Sequence, residues 1–364
     1  MSTSIGLVGL PNVGKTTVFN ALTAAGAAAH NYPFCTINRN VATVPVPDDR
    51  LDALAVLLTP EEVKPTTVEV IDIAGLVKGA HAGEGLGNRF LDDIRNVDAI
   101  FHVVRCFRDS NVARAGGSSS PAADLRLVDT ELMLADLETA GKKVEQLAKK
   151  AKAAAGGTSR ELEVFQTVVA CLQAGRPVEM AGHSADERLM VEQERLLTPK
   201  PSVIVANCDE DSVDARGDDL KALLCAAAPR RVVPFPGSIE ADLGAMNADE
   251  RASFYREFGL GGSHVPTLLR EGFDLLGLIT FYTVARNKLH AWRMRKGRTA
   301  LDAAGLIHSD IAEGFIRADV FTAEDLMQHG SVATLRSVGR LRSEGRDYKV
   351  CDGDVLYVHF QQHR

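Results

Sequence analysis

Ile5-Gly6-Leu7-Val8 is a short apolar run with no polar alternation, and it stops at a glycine. That pattern predicts a strand buried on both faces. Lys15 to Ala25 reads as a helix, Val41-Ala42-Thr43-Val44 as a strand, and Thr67-Val68-Glu69-Val70-Ile71 as the next, ending in Asp72-Ile73-Ala74-Gly75. A glycine-rich stretch from Lys78 to Asn88 and a short helix lead to the strand Ala99-Ile100-Phe101-His102-Val103-Val104. Apolar strands alternating with helices predict a mostly parallel sheet covered by helices, the α/β class.

The alternation stops at residues 110–123, which are rich in Ala, Gly, Ser and Pro and read as a linker. Asp124 to about Ala155 has helical composition. Leu125, Val128, Leu132 and Ala135 begin an apolar seam, Thr139 interrupts it, and Leu137, Val144 and Leu147 continue it with drift. Gly156-Gly157 ends that helix, and a second runs from Glu161 to Ala174, before Gly175. The pair reads as a helical hairpin, plausibly coiled, inserted into the α/β domain. Lys142, Lys143, Lys149, Lys150 and Lys152 form a basic face, read as solvated or as a contact surface. Strands resume at Ser202-Val203-Ile204-Val205-Ala206, ending in Asn207, and at Val232-Val233-Pro234 before Gly237-Ser238. From Leu278 short alternating strands predict a small α+β domain, with Asp352-Gly353-Asp354 as a hairpin turn before Val355 to Phe360.

Composition adds bounds to this outline. A chain of 364 residues is long enough for two or three domains, and no apolar run approaches a membrane span. The opening Met1-Ser2-Thr3-Ser4 predicts no signal peptide and a cytoplasmic protein. The cysteines at 35, 106, 171, 208, 225 and 351 have no C-x-x-C spacing and read as reduced thiols. The net charge of −7 is uneven: Phe281 to Arg364 carries 13 Lys/Arg against 10 Asp/Glu, the rest 28 against 38. An acidic body with a mildly basic tail is not a general nucleic-acid binder, so no DNA partner is expected; local phosphate contacts stay open.

The chemistry starts at Gly9-Leu10-Pro11-Asn12-Val13-Gly14-Lys15-Thr16, which matches G-x-x-x-x-G-K-[ST]. Between a strand and a helix this is a phosphate-binding P-loop. Backbone N–H groups of Asn12, Val13, Gly14, Lys15, Thr16 and Thr17 turn toward phosphate oxygens at the positive end of the helix dipole. Lys15 reaches the β- and γ-phosphates, and the Thr16 hydroxyl can ligate Mg²⁺. Asp72 at a strand end places a carboxylate beside the Mg²⁺ shell, and Gly75 puts a backbone N–H where a γ-phosphate is sensed. Thr36, in the loop after the first helix, can close on Mg²⁺.

At these residues the chain resembles the translation-factor-like P-loop GTPases. Gly9 to Thr17, Asn31-Tyr32-Pro33-Phe34-Cys35-Thr36, and Asp72 to Ala80 with Gly87-Asn88 narrow the resemblance to the YchF / Obg-like ATPase family. So do Asn207-Cys208-Asp209-Glu210, Gly314-Phe315-Ile316-Arg317-Ala318 and Asp352-Gly353-Asp354. The resemblance covers essentially the whole chain. It implies a G-domain over 1–277, interrupted at 110–200 by a helical coiled-coil insertion, and a C-terminal β-grasp (TGS) domain over 278–364. It also implies ribosome association and slow ATP hydrolysis.

Two departures from ordinary GTPases have physical readings. A guanine-selective site uses Asn-Lys-x-Asp, whose Asp grips guanine N1–H and the exocyclic amine. Here Cys208 lacks the lysine stem and Glu210 is one methylene longer, so discrimination against adenine is lost. The resemblance turns this into ATP preference with some GTP binding, the base being held around Asn207, Cys208, Glu210 and Ser238. Leu76 stands where Ras-like enzymes carry a water-orienting Gln, which predicts a low intrinsic rate. His81 in the glycine-rich run is the candidate to orient water or support transition-state charge, and is otherwise a solvated loop histidine. The run Arg286 to Arg298, with Trp292 inside it, and the cluster Arg336, Arg340, Arg342, Arg346 and Lys349 read as ribosomal-RNA contacts or as solvated faces around a core Trp292. The alternatives to an ATPase switch are a GTP-selective translation-associated GTPase, a P-loop small-molecule kinase, and a scaffold that binds nucleotide but barely hydrolyses it.

Overall fold

A computed structural model describes residues 3–28, 37–38, 40–75, 86–109, 111–114, 120–153, 159–180, 182–209, 218–244, 246–257 and 262–361. In chain order the strands are β1 (Ser4–Val8), β2 (Ile37–Asn38), β3 (Val41–Pro45), β4 (Glu62–Lys64), β5 (Thr67–Asp72), β6 (Ala99–Arg105) and β7 (Ser202–Asn207). Then come β8 (Val232–Phe235), β9 (Leu278–Ala285), β10 (Lys288–Arg295), β11 (Phe315–Thr322), β12 (Arg342–Glu344) and β13 (Asp354–Phe360). They form two sheets. The first has the order β2-β3-β5-β1-β6-β7-β8 and is parallel except at the β2–β3 and β3–β5 pairs. Every residue of β1 and β6 is buried, as their mostly apolar runs predict for strands covered on both faces. The helices Lys15–Ala28 and Val265–Leu275 pack on this sheet, and the chain order reverses on either side of β1. Open α/β sheets bind ligands at such a switch point, outside the carboxyl ends of the strands.

The inserted hairpin is present as Pro121–Ala153 and Arg160–Gln173. The drifting seam has a simple cause. Val128, Leu132 and Ala135 join the core under the sheet, whereas Ala140 and Leu147 join a separate cluster with Phe165, Val168 and Leu172. Thr139 sits at the changeover, where its hydroxyl donates to the Ala135 carbonyl at 3.0 Å and accepts from Arg95 Nη2 at 3.1 Å. Lys143 belongs to the hairpin rather than to an outer surface: its ammonium bridges Glu161 at 2.8 Å and Glu194 at 2.7 Å. A third helix, Ala185–Gln193, was not anticipated, although Ser184-x-x-Glu187 forms a capping box at its start.

The second sheet has the order β12-β11-β13-β9-β10-β4. Here the structure departs from the sequence reading twice. β13 runs between β11 and β9, parallel to the latter, so Asp352-Gly353 is a turn into a central strand and not the tip of a hairpin. Residues 49–64 also leave the first sheet, between β3 and β5, to build the second. The helix Asp49–Leu58 buries Leu51 and Leu54 with Tyr282, Leu289 and Phe321, and β4 pairs with β10. Polar contacts pin the same junction: Arg50 Nη1 donates to Asp352 at 2.7 Å, Arg293 to the Thr67 hydroxyl at 2.9 Å, and the Tyr282 hydroxyl to Asp48. Asp48 caps the helix by accepting from the Arg50 N–H at 3.1 Å. Tyr282→Phe deprives this half-buried carboxylate of a donor. A loss of about 1–2 kcal/mol in urea denaturation is expected, and unchanged stability would show the contact to be passive.

Candidate functional site

The P-loop leaves β1 at Gly9 and enters the helix at Lys15, at the carboxyl end of the sheet. Asn12 has φ 62° and Gly14 φ 91°, so both turn the backbone through the left-handed region. Glycine is required at 14 for a second reason: a Cβ there would lie 2.1 Å from Asn207 Nδ2. The Lys15 ammonium is buried and donates to the Gly9 carbonyl at 3.2 Å and the Leu10 carbonyl at 2.9 Å. Burial pushes its pKa down to about 8, against the opposing pull of Asp72.

Asp72, the last residue of β5, meets the first turn of that helix. Its Oδ2 accepts from the Thr16 hydroxyl at 2.7 Å. Gly75 lies against the other side of the loop, where a Cβ would stand 3.0 Å from Pro11 N and 3.1 Å from Lys15 Nζ. The structure thus brings Lys15, Thr16, Asp72 and Gly75 together at one side of the P-loop. The hydroxyl and carboxylate oxygens of Thr16 and Asp72 are hard donors of the kind Mg²⁺ takes, so this pair fits the ion.

Asn207 ends β7, the third strand across from β5, yet its side chain is the keystone of the loop. Nδ2 donates to the Val13 carbonyl at 3.0 Å and Oδ1 accepts from the Gly237 N–H at 3.2 Å. Its own carbonyl accepts from Cys106 N–H at 2.8 Å and Phe107 N–H at 3.0 Å. One buried residue therefore joins the P-loop and the turn into the helix Gly237–Leu243 through its side-chain amide, and the end of β6 through its backbone carbonyl. Ser238 is exposed on the first turn of that helix. Cys208 is buried, with its thiol pushed up to about 11 by burial, and its N–H pairs with the Phe235 carbonyl at 3.1 Å. Asp209 accepts from the Arg108 N–H at 3.1 Å. Thr36, Leu76, His81 and Glu210 lie outside the described residues.

Two site neighbours escaped the sequence reading. Arg105, at the end of β6, is buried and donates to the carbonyls of Asp109 at 2.9 Å and Val112 at 2.8 Å. It thereby shapes the turn whose Ala113 carbonyl accepts from Asn12 Nδ2 at 3.4 Å. Its guanidinium also covers the Phe107 ring at 4.5 Å, and Phe107 lies beside Gly14. A charged residue closing a buried strand at the carboxyl edge was the available signal. Trp292, by contrast, belongs to the small core: it stacks on Phe281 and its indole N–H donates to Thr283 at 2.9 Å. Within the basic run, Arg293, Lys288 and Arg298 are engaged with Thr67, Glu62 and Asp302, whereas Arg286, Arg295 and Lys296 are exposed.

Comparison with known proteins gives the same picture over the whole chain. A family described as 50S ribosome-binding GTPase matches residues 4–150, and a family of unknown function, named as the C-terminal part of a YchF GTPase, matches 278–361. The ribosome-binding ATPase YchF of Bacillus subtilis is 41% identical, covering 99% of this chain and 100% of that protein. The protein of that name from Escherichia coli O157:H7 is 42% identical over 98% of each chain. Among solved structures, the YchF GTPase of Schizosaccharomyces pombe superposes with a TM-score of 0.87 at 30% identity, over 98% of both chains.

Proposed function

The chain belongs to the YchF family, and from that premise we propose that it is a ribosome-binding, Mg²⁺-dependent ATPase that hydrolyses ATP slowly to ADP and phosphate as a nucleotide switch in translation or stress regulation. The observation that carries this reading is the convergence of Lys15, Thr16, Asp72 and Gly75 at the carboxyl end of β1. Lys15 and the 12–17 backbone hold the phosphates, Thr16 and Thr36 ligate Mg²⁺, and Asp72 orients the Thr16 hydroxyl. Mg²⁺ bound there supplies charge neutralisation for the phosphates. Gly75 offers its N–H to the γ-phosphate. GTP binds the same locus with less selectivity, because the base side is Asn207, Cys208, Glu210 and Ser238. A buried, neutral Cys208 supplies no long stem to cover guanine. Residues 1–277 act as the G-domain, with 110–200 as its helical insertion, and 278–364 as the TGS domain, whose sheet also takes in residues 49–64. The cytoplasm is the setting. Among the described residues no helix is long and apolar enough to cross a membrane.

Calorimetric titration of ATP and GTP analogues into one preparation tests base choice; tighter GTP binding would move the protein to the GTP-selective class. Hydrolysis has its own test. His81→Ala is expected to lower ATP turnover about 100-fold, the lower end of the range for a positioned acid–base group, with nucleotide affinity unchanged. Equal turnover would remove His81 from the chemistry. The exposed Arg286, Arg295 and Lys296 are the proposed contacts to ribosomal RNA, so co-sedimentation with ribosomes should weaken steeply as salt rises.

A further inference from the structure

The helix Gly237–Leu243 carries Ser238 in its first turn and is too short to hold its own shape or place without tertiary contacts. Pro236 before it supplies no side-chain cap. Its start leans on Asn207: a Cβ on Gly237 would lie 2.7 Å from Asn207 Oδ1, the atom that accepts the Gly237 N–H. Its end lies on the P-loop helix Lys15–Ala28, where a Cβ on Gly244 would stand 2.3 Å from the Ala24 Cβ. Ile239 and Leu243 are buried between these ends.

A further anchor is polar. Glu240 is 4% exposed, and its carboxylate is held by donors from distant positions of the chain. Oε1 accepts from the His264 backbone N–H at 2.6 Å and faces His264 Nδ1 at 3.3 Å. Oε2 accepts from the Ser263 hydroxyl at 2.8 Å and the Tyr255 hydroxyl at 3.2 Å. Burial opposes the charge, yet the bonds from His264 and Ser263 outweigh it and hold the carboxyl below the usual carboxylate range. The partners are anchored in turn. His264 leads directly into the helix Val265–Leu275, which packs so closely on the first sheet that a Cβ on Gly272 would stand 2.6 Å from the Ile5 and Phe101 side chains. Glu240 thus ties the helix that carries Ser238 to the layer covering β1 and β6, through bonds to residues outside the P-loop.

We infer that Glu240 is a positioning residue for the base side of the nucleotide site, fixing where Gly237 and Ser238 stand without touching the phosphates. The inference rests on the reading of Asn207, Cys208, Glu210 and Ser238 as the base side. Removing the carboxylate leaves the His264 N–H and two hydroxyls without their acceptor, so the helix loses its tether. Contacts to the base are the same in the ground and transition states, so their loss raises KM and leaves kcat alone.

The test is steady-state ATP hydrolysis by the full chain, with inorganic tripolyphosphate as a competitive inhibitor that has phosphates and no base. In Glu240→Ala the KM for ATP is expected to rise at least about tenfold, with kcat and the tripolyphosphate inhibition constant within about twofold of wild type. Glu240→Gln keeps an acceptor for the His264 N–H and should recover most of the affinity. Tyr255→Phe combined with Ser263→Ala removes two donors and leaves Glu240 in place. It should show the same split at a smaller size, and it carries the test if Glu240→Ala does not fold. An unchanged KM in the folded variants, or an equal weakening of tripolyphosphate, would overturn the inference. Wild-type protein that holds tripolyphosphate as tightly as ATP would overturn the base-side reading, and this inference with it.

Discussion

Lys15→Ala is expected to lower ATP turnover at least about 100-fold, the loss typical when one preorganised group facing transition-state charge is removed. The ammonium is held on the Gly9 and Leu10 carbonyls beside Gly75, and it is the cation buried within this loop. Its burial also makes a pH prediction. The ordinary lysine value of 10.5 is pushed down to about 8, so between these pH values the unfolded chain binds more protons than the folded one. Stability from this group therefore rises as pH rises through that window, the reverse of a lysine gaining a partner. Phosphate oxygens favour the ammonium, so ATP binding at pH 9 should take up part of a proton. Calorimetry in two buffers of different ionisation enthalpy reads this directly. An identical apparent enthalpy in both, or a turnover loss below tenfold in Lys15→Ala, would contradict this role.

Asn207→Asp is expected to weaken nucleotide binding about 10- to 100-fold and to cost about 2–3 kcal/mol of stability. The substitution keeps the shape and removes the donor. It sets a carboxylate oxygen against the Val13 carbonyl, 3.0 Å from the present amide nitrogen, at a site only 4% exposed. The bond from the Gly237 N–H can survive, so the damage should fall on the P-loop side. Nucleotide titration and urea denaturation of the same variant check both halves. Wild-type affinity would show that the loop holds its shape without this amide.

What could be read along the chain was what is encoded locally. The P-loop is one continuous motif whose φ angles, helix start and lysine lie within eight residues, and the structure assembles it around those residues. β1, β6 and β7 were legible because strands covered on both faces need mostly apolar runs. Asp72 was legible by its place at a strand end, and its bond to Thr16 follows from β5 lying beside β1.

Other features depend on which segments meet, and no local pattern states that. No local pattern in residues 49–64 ties them to the second sheet, yet Leu51 and Leu54 find their partners on Tyr282 and Phe321, more than two hundred residues later. Trp292 lies among cations in sequence and against Phe281 in space, since alternate residues of a strand face opposite sides. The sequence by itself determined the ligand class, the parallel sheet and the helical insertion, because phosphate cradles and buried strands are short-range patterns. Tertiary structure alone decided that Asn207 locks the P-loop, that Arg105 shapes its flank, and that Glu240 ties its helix to Ser263 and His264. Each depends on side chains at or just beyond the carboxyl ends of β6, β7 and β8 converging with distant segments after the sheet is closed.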